Sequence, residues 1–354
     1  MTDNDISQSL CERVQEASET RTSLAIRGGS TKAFYGRTIR GEPLEVADHR
    51  GIISYEPSEL VITARAGTPL SQIQEVLAER GQMLPFEPPA FGDNATLGGT
   101  VACGLSGPRR PYAGACRDFV LGMTLLNGRG EILKFGGQVM KNVAGYDLSR
   151  LNTGALGTLG VILEISLKVL PLPAGEATRV LEMPAAQAIE SVNRWAGRPL
   201  PLSAAAHDGR QLLVRLSGAA SAVAAAAGEI GGEEMVEGPQ FWKALAEQHL
   251  SFFDGDTSLW RLAVAPATPP LDLPGEQLVD WGGALRWLKS DASPDTIRAA
   301  AGQAGGHAIM FRGGDRKGEV FQPLNPVLAR LHRNLKASFD PKGILNPGRF
   351  YSDL

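Results

Sequence analysis

Cysteine is scarce in this chain: Cys11, Cys103 and Cys116 are the only three in 354 residues. They are too few and too scattered for a disulfide framework, a CxxC zinc knuckle or an iron–sulfur cluster. Long apolar runs are missing too, and the start, MTDNDISQSLCERVQEAS, has no basic stretch followed by an apolar one. This predicts a cytoplasmic chain without a secretory signal or membrane span, whose contact with the inner face of the cell membrane would be peripheral and through partners. Charge of one sign is also absent. The 35 basic and 38 acidic residues give a net −3, with 17 and 18 of them before residue 175, so no basic face for nucleic acid is implied. Histidine is limited to His49, His207, His249, His307 and His332, with no HxH and no helical HxxxH, so no metal site is expected.

What remains is ordinary globular material, 43% hydrophobic and 21% charged, long enough for two domains. Glycine is the informative excess. Fifteen of the 42 glycines fall between Gly92 and Gly160. Such density calls for positive φ or close backbone approach, and it points to a ligand lying against the backbone.

Around that stretch the pattern is mixed. Leu10, Val14 and Ala17 mark an amphipathic helix, and Ser23 to Arg27 a strand that runs into Gly28 and Gly29. Leu60 to Ala66 reads as a strand, with Thr68 and Pro69 as N-cap and first residue of a helix closed by Gly81. Phe119 to Leu126 and Glu131 to Phe135 flank NGRG as a hairpin, and Val161 to Leu170 reads as a last strand before Pro171 and Pro173. From about residue 175 to 320, strand and helix signals alternate, which predicts an open sheet covered by helices. All five tryptophans, Trp195, Trp242, Trp260, Trp281 and Trp287, fall there and are expected in the core. Asn325 and Pro326 open a final helix.

Three glycine turns carry the chemistry. Arg27-Gly28-Gly29-Ser30-Thr31-Lys32 follows a strand directly, so consecutive amides and small side chains could form a nest for phosphate oxygens. It is neither GxGxxG nor a Walker loop, which removes nicotinamide Rossmann and P-loop readings. About 70 residues on comes ATLGGTVA (Ala95 to Ala102), and then GALGTLGVI (Gly154 to Ile162), which runs into a strand. The order of the three is more specific than any one of them.

These motifs, with MKNVAGYDLSRLNTGALGTLGVI and the closing DPKGILNPGRF, resemble the flavoproteins with the vanillyl-alcohol oxidase or p-cresol methylhydroxylase type of FAD domain. Within that family they look most like the FAD-binding subunits of bacterial glycolate oxidases. The resemblance implies an α+β fold: a two-part FAD-binding domain at 1–173, a shortened α/β cap with an open sheet at 174–320, and a C-terminal helix and tail at 321–354 returning to the FAD domain. By position it implies a pyrophosphate loop at Arg27 to Lys32. A second diphosphate and ribityl contact falls at Leu97, Gly98, Gly99, Thr100 and Ala102, and a turn at Gly114. Backbone contacts fall at Gly157, Thr158, Leu159, Gly160, Val161 and Ile162, and Asn346 lies near the isoalloxazine. Lys141, Tyr146 and Asp147 lie in the GYD segment, where their alternative role is structural bracing.

The implied activity is oxidation of glycolate, or a similar short 2-hydroxy acid such as D-lactate, to the 2-oxo acid. Electrons would pass by flavin to a partner iron–sulfur subunit, beside a longer FAD-containing catalytic subunit. Ser30 and Thr31 stand where covalently linked relatives carry histidine, so FAD is expected to be noncovalent. Cys103 lies close by, more readily an inert buried thiol than a reactive one. The catalytic base is not identified; His307, before AIMFR, is a weak candidate. The alternatives are a stand-alone FAD-dependent D-2-hydroxy-acid dehydrogenase, a cell-wall-pathway reductase, a subunit that holds FAD as a relay without substrate chemistry of its own, and a degenerate fold kept as an assembly surface.

Overall fold

A computed structural model describes residues 3–137 and 147–354. The chain divides into two compact units, one made of Met1–Leu105, Ala115–Pro171 and Arg316–Leu354, the other of Ser106–Gly114 and Leu172–Asp315.

The first unit is built on a five-stranded antiparallel sheet in the order Ile52–Glu56, Val61–Arg65, Val161–Lys168, Val120–Leu126, Ile132–Gly136. Its inner strands are buried on nearly every residue, as strands covered on both faces should be. Thr63 and Ser166 satisfy each other's hydroxyls across the sheet at 2.8 Å. The NGRG turn closes as its sequence predicts. The side-chain oxygen of Asn127 accepts from the amides of Arg129 and Glu131, and Gly130 takes φ 74°. The helix Ser7–Thr20 buries Leu10, Val14 and Ala17, the stripe read from the sequence.

One local reading changes. Thr68 is not an N-cap: the helix runs Leu70–Ala78 with Pro69 before it in an extended conformation. The Thr68 hydroxyl is bonded to Gly51, and the Leu70 amide is taken by the Ala95 carbonyl, so pairing with a distant segment overrides the local start signal.

The second unit carries an eight-stranded open sheet, antiparallel at every pair: Glu233–Glu234, Gly175–Glu182, Gln211–Gly218, Leu202–His207, Glu276–Asp280, Leu285–Lys289, Leu259–Ala263, His307–Arg312. Helices Ala185–Ala196 and Ala220–Ile230 pack Val192, Trp195, Val223 and Ile230 on Leu212, Val214 and Leu216. The helix Pro294–Gln303, capped by Ser293, packs Ile297 and Ala301 on Trp260 and Leu262. All five tryptophans are buried. The short segment Ser106–Gly114, which the sequence reading left with the residues before it, is grouped here instead. The indole of Trp281 donates to the Gly107 carbonyl at 3.0 Å, and the guanidinium of Arg110 lies over the Trp281 ring.

Candidate functional site

The first unit encloses a cavity of about 740 Å³, the size of a small-molecule or cofactor site. Its wall brings together segments far apart in sequence: Ala25 to Ala33, Thr38 to Gly41, the second turn at Thr96 to Cys103, the third at Leu156 to Ile162, and Asn346 with Arg349.

The first turn shows why glycine is needed. A Cβ on Gly29 would run into the Asn94 carbonyl, so the two stretches of backbone can only meet without a side chain. Ser30 follows with φ 56°, and Thr31 donates its hydroxyl to the Ala90 carbonyl at 2.7 Å, tying down the far side of the turn. Among the described residues, none accepts a hydrogen bond from the amides of Gly28, Gly29, Ser30 or Thr31. A run of unspent amides in a concave turn is an anion nest.

The second turn treats its amides differently. Thr96 caps the helix Leu97–Cys103, and its hydroxyl accepts from the Gly99 amide. The Leu97 amide goes to Thr68 and the Gly98 amide to Ala66, and the Cα of Gly98 lies so near Ala66 that a Cβ would stand 2.6 Å from that residue's own. This turn therefore walls the cavity and leaves no amide free in its first turn of helix.

Charge follows the same logic. Four cations, Arg27, Lys32, Arg40 and Arg349, line the cavity, and among its described lining residues there is no carboxylate and no imidazole. Lys32 donates to the Ala90 carbonyl at 3.0 Å and Arg349 to the carbonyls of Arg37 and Ala33 at 3.0 and 3.1 Å, so carbonyls help hold both side chains in place. Burial pushes the Cys103 thiol above its ordinary range, while Lys32 and Arg349 pull it the other way. It is a protonated thiol at neutral pH.

Of the residues singled out by sequence, Arg27, Gly28, Gly29, Ser30, Thr31, Lys32, Gly98, Gly99, Ala102, Gly157, Gly160, Val161, Ile162 and Asn346 are on this wall. Leu97, Thr100, Thr158 and Leu159 are not: they are buried behind it as packing, with the Thr100 hydroxyl left without a partner. Gly114 ends the helix Arg110–Ala113 in the second unit and is not brought to the cavity. His307 likewise lies in the second unit, at the start of its strand, where burial first and Arg261 second hold its pKa below the usual histidine range. Lys141 and Tyr146 lie outside the described residues. Asp147 caps the helix Leu148–Asn152 through the Arg150 amide and pairs with the Arg150 side chain at 3.1 Å, a bracing role. Sequence reasoning missed Arg40, Val46, Ala66 and Arg349; only Arg349 lay inside a motif that could have flagged it.

Comparison with known proteins fits this geometry. Residues 7–136 match the family model of an FAD binding domain, and residues 305–350 that of the C-terminal domain of FAD linked oxidases. Over 350 residues the chain is 51% identical to glycolate oxidase subunit GlcE of Escherichia coli (strain K12), an alignment that covers 99% of both chains. The chain belongs to the GlcE family. Two other curated relatives match in part. Glycolate oxidase subunit GlcD of Bacillus subtilis (strain 168) is 31% identical over 163 residues, 46% of this chain and 34% of GlcD. A D-lactate dehydrogenase of Anaerostipes hadrus is 37% identical over 123 residues, 34% of this chain and 25% of that enzyme. A solved structure of p-cresol methylhydroxylase with substrate bound shares the fold, with a TM-score of 0.73 at 18% identity over 98% of this chain and 87% of that one. This GlcE family member thus carries an FAD binding domain and shares the fold of p-cresol methylhydroxylase. Among the described residues no helix is long and apolar enough to cross a membrane, and no group of three or more His, Cys, Asp and Glu is placed to hold a metal ion.

The cavity suits FAD on its own terms. The cofactor is long, flat and carries a diphosphate, and the wall offers a nest of four amides, four cations and backbone brought close by glycine.

Proposed function

We propose that this cavity holds FAD noncovalently and that the chain is the FAD-holding subunit of a glycolate oxidase. In that assembly glycolate, or a similar short 2-hydroxy acid such as D-lactate, is oxidised to the 2-oxo acid. Electrons leave through a partner iron–sulfur subunit beside a longer FAD-containing catalytic subunit. The observation that carries this reading is the cationic cavity wall, with no carboxylate among its described residues, in a chain of the GlcE family.

FAD, when bound, would supply the acceptor for the two electrons of an alcohol oxidation. The chain's own residues do the holding. The amides of Gly28, Gly29, Ser30 and Thr31 would donate to the diphosphate, and Arg27, Lys32, Arg40 and Arg349 would offset its charge. Nothing acidic on the described wall opposes a negative ligand. No imidazole or carboxylate there can take the proton of a substrate hydroxyl, which favours a flavin relay over a stand-alone dehydrogenase. Noncovalent binding is supported by Ser30 and Thr31 in the first turn and by the protonated state of Cys103, the one thiol on the wall.

An anaerobic visible spectrum tests the proposal. The purified chain, reconstituted with FAD, should be yellow, release its flavin on denaturation and filtration, and bleach with glycolate only when its partner subunits are added. A colourless chain overturns the cofactor reading, and bleaching by the lone chain overturns the relay.

A further inference from the structure

The C-terminal segment lies between the strand that leads into the first turn and the third turn, and it bonds to both. The Leu24 amide donates to the Ile344 carbonyl at 2.7 Å, and the Asn346 amide returns to the Leu24 carbonyl at 3.0 Å, so the tail runs alongside the strand Leu24–Arg27. The side chain of Asn346 then extends this pairing. Its oxygen accepts from the Ile26 amide at 2.8 Å and its nitrogen donates to the Leu156 carbonyl at 2.7 Å. Asn346 is 5% exposed, and its φ of 42° is one that asparagine tolerates better than most residues. The missing side chain at Gly157 leaves the space, since a Cβ there would stand 2.8 Å from the Asn346 amide nitrogen.

Behind Asn346 lies a second layer that does not line the cavity. Lys336 and Asp340, one turn apart on and just past the helix Pro326–Phe339, form a buried ion pair at 2.7 Å. The Lys336 ammonium also donates to the Thr158 carbonyl, in the third turn, and to the Leu345 carbonyl, next to Asn346, each at 2.7 Å. Asp340 accepts from the amides of Ile344 and Leu345 at 3.1 and 2.8 Å. Every donor of Lys336 is thus spent on one of three partners, which is the condition for a buried ammonium to be tolerated. Burial still works against its charge, with Asp340 opposing that loss.

We propose that Asn346 is a positioning residue that clamps the first and third turns in register, and that the Lys336–Asp340 pair sets the place of the clamp. On this view both polar atoms of the Asn346 side chain act on the protein, and its effect on FAD is exerted through the first turn. The inference rests on the FAD reading for its affinity measurement only.

The test uses the full chain and the variant Asn346→Gly, which keeps the backbone conformation and deletes both side-chain hydrogen bonds. Apo protein is titrated with FAD by flavin fluorescence, and hydrogen exchange at the Ile26 amide is followed without ligand. The variant should bind FAD about tenfold more weakly and exchange faster at Ile26, with a lower apo melting temperature because the Ile26 amide and the Leu156 carbonyl lose their partners. Lys336→Met should weaken binding in the same direction, and combining the two should add less than the product of their separate effects, because both act on one clamp. Unchanged affinity in Asn346→Gly overturns the proposal. Weakened affinity with unchanged Ile26 exchange also overturns it, since Asn346 would then act by touching the ligand. Should the wild-type chain bind no FAD, the functional reading fails, while Ile26 exchange still decides whether the clamp exists.

Discussion

Two glycine turns border the same cavity and spend their amides in opposite ways. In Gly28 to Thr31 the glycine lets the backbone pass the Asn94 carbonyl, and four consecutive amides remain unbonded to any described residue. In Leu97 to Thr100 glycine again permits a close approach, this time to Ala66, but each amide is bonded to Thr68, Ala66 or Thr96. Glycine therefore marks close approach in both turns, and it is the fate of the amide that separates a ligand site from packing. The same holds across the glycine-rich stretch: Gly104 lies against Gly154 and Gly122 against Gly137, both contacts of the chain with itself. The density expected to mark a ligand along backbone is, at these positions, a density of internal packing.

The sharpest way to break this contrast is amide hydrogen exchange with and without FAD. With ligand at about a hundred times its dissociation constant, exchange at Gly28 to Thr31 should slow by about a hundredfold. The amides of Leu97 to Thr100, already bonded in the apo chain, should change little. Equal protection of both turns would erase the distinction, and protection confined to the second would reverse it.

A smaller effect is expected at Arg349. The second turn offers no amide in its first helical turn, and Arg349, held on the wall by carbonyls, would add a side-chain charge toward a bound anion. Arg349→Met should weaken FAD binding by about tenfold at low salt, the loss of one charged hydrogen bond, and by less at high salt. Fluorescence titration at two ionic strengths checks it; an affinity loss independent of salt would mean that the residue acts by packing.

How much of this was legible follows the same division. The strand before Gly28 and the NGRG hairpin could be read because each is written in consecutive residues whose own turn chemistry decides the outcome, whereas the return of DPKGILNPGRF was implied by the family resemblance alone. Arg40, Val46 and Ala66 could not, since they reach the wall through strand pairing between Leu24–Arg27 and Glu42–Glu45 and through the contact of Ala66 with the second turn. Thr68 looked like a cap because the competing partner of Leu70, Ala95, lies 25 residues further on. Leu97 and Thr158 were placed on the ligand by motif position, but a motif mixes wall and backing, and only the fold sorts one from the other. Asn346 was singled out for the ligand, whereas its side-chain amide is bonded to Ile26 and Leu156, which no local pattern announces.

The smallest effect concerns Cys103, where the second turn reaches the cavity. Burial raises its pKa and the two cations lower it, and burial is the larger influence, so the thiolate that attacks alkylating reagents is rare at neutral pH. Iodoacetamide should label Cys103 in the apo chain more slowly than a free thiol in a peptide, with the rate rising only above the ordinary thiol range, and bound FAD should slow it further. Removing a lowering cation in Arg349→Met should slow labelling again, because the thiolate fraction at a given pH falls as the pKa rises. Mass spectrometry of the labelled peptide reads all three. Rapid labelling at neutral pH would mean that Lys32 and Arg349 outweigh burial and that the wall holds a reactive nucleophile; noncovalent flavin would then need an explanation other than an inert thiol.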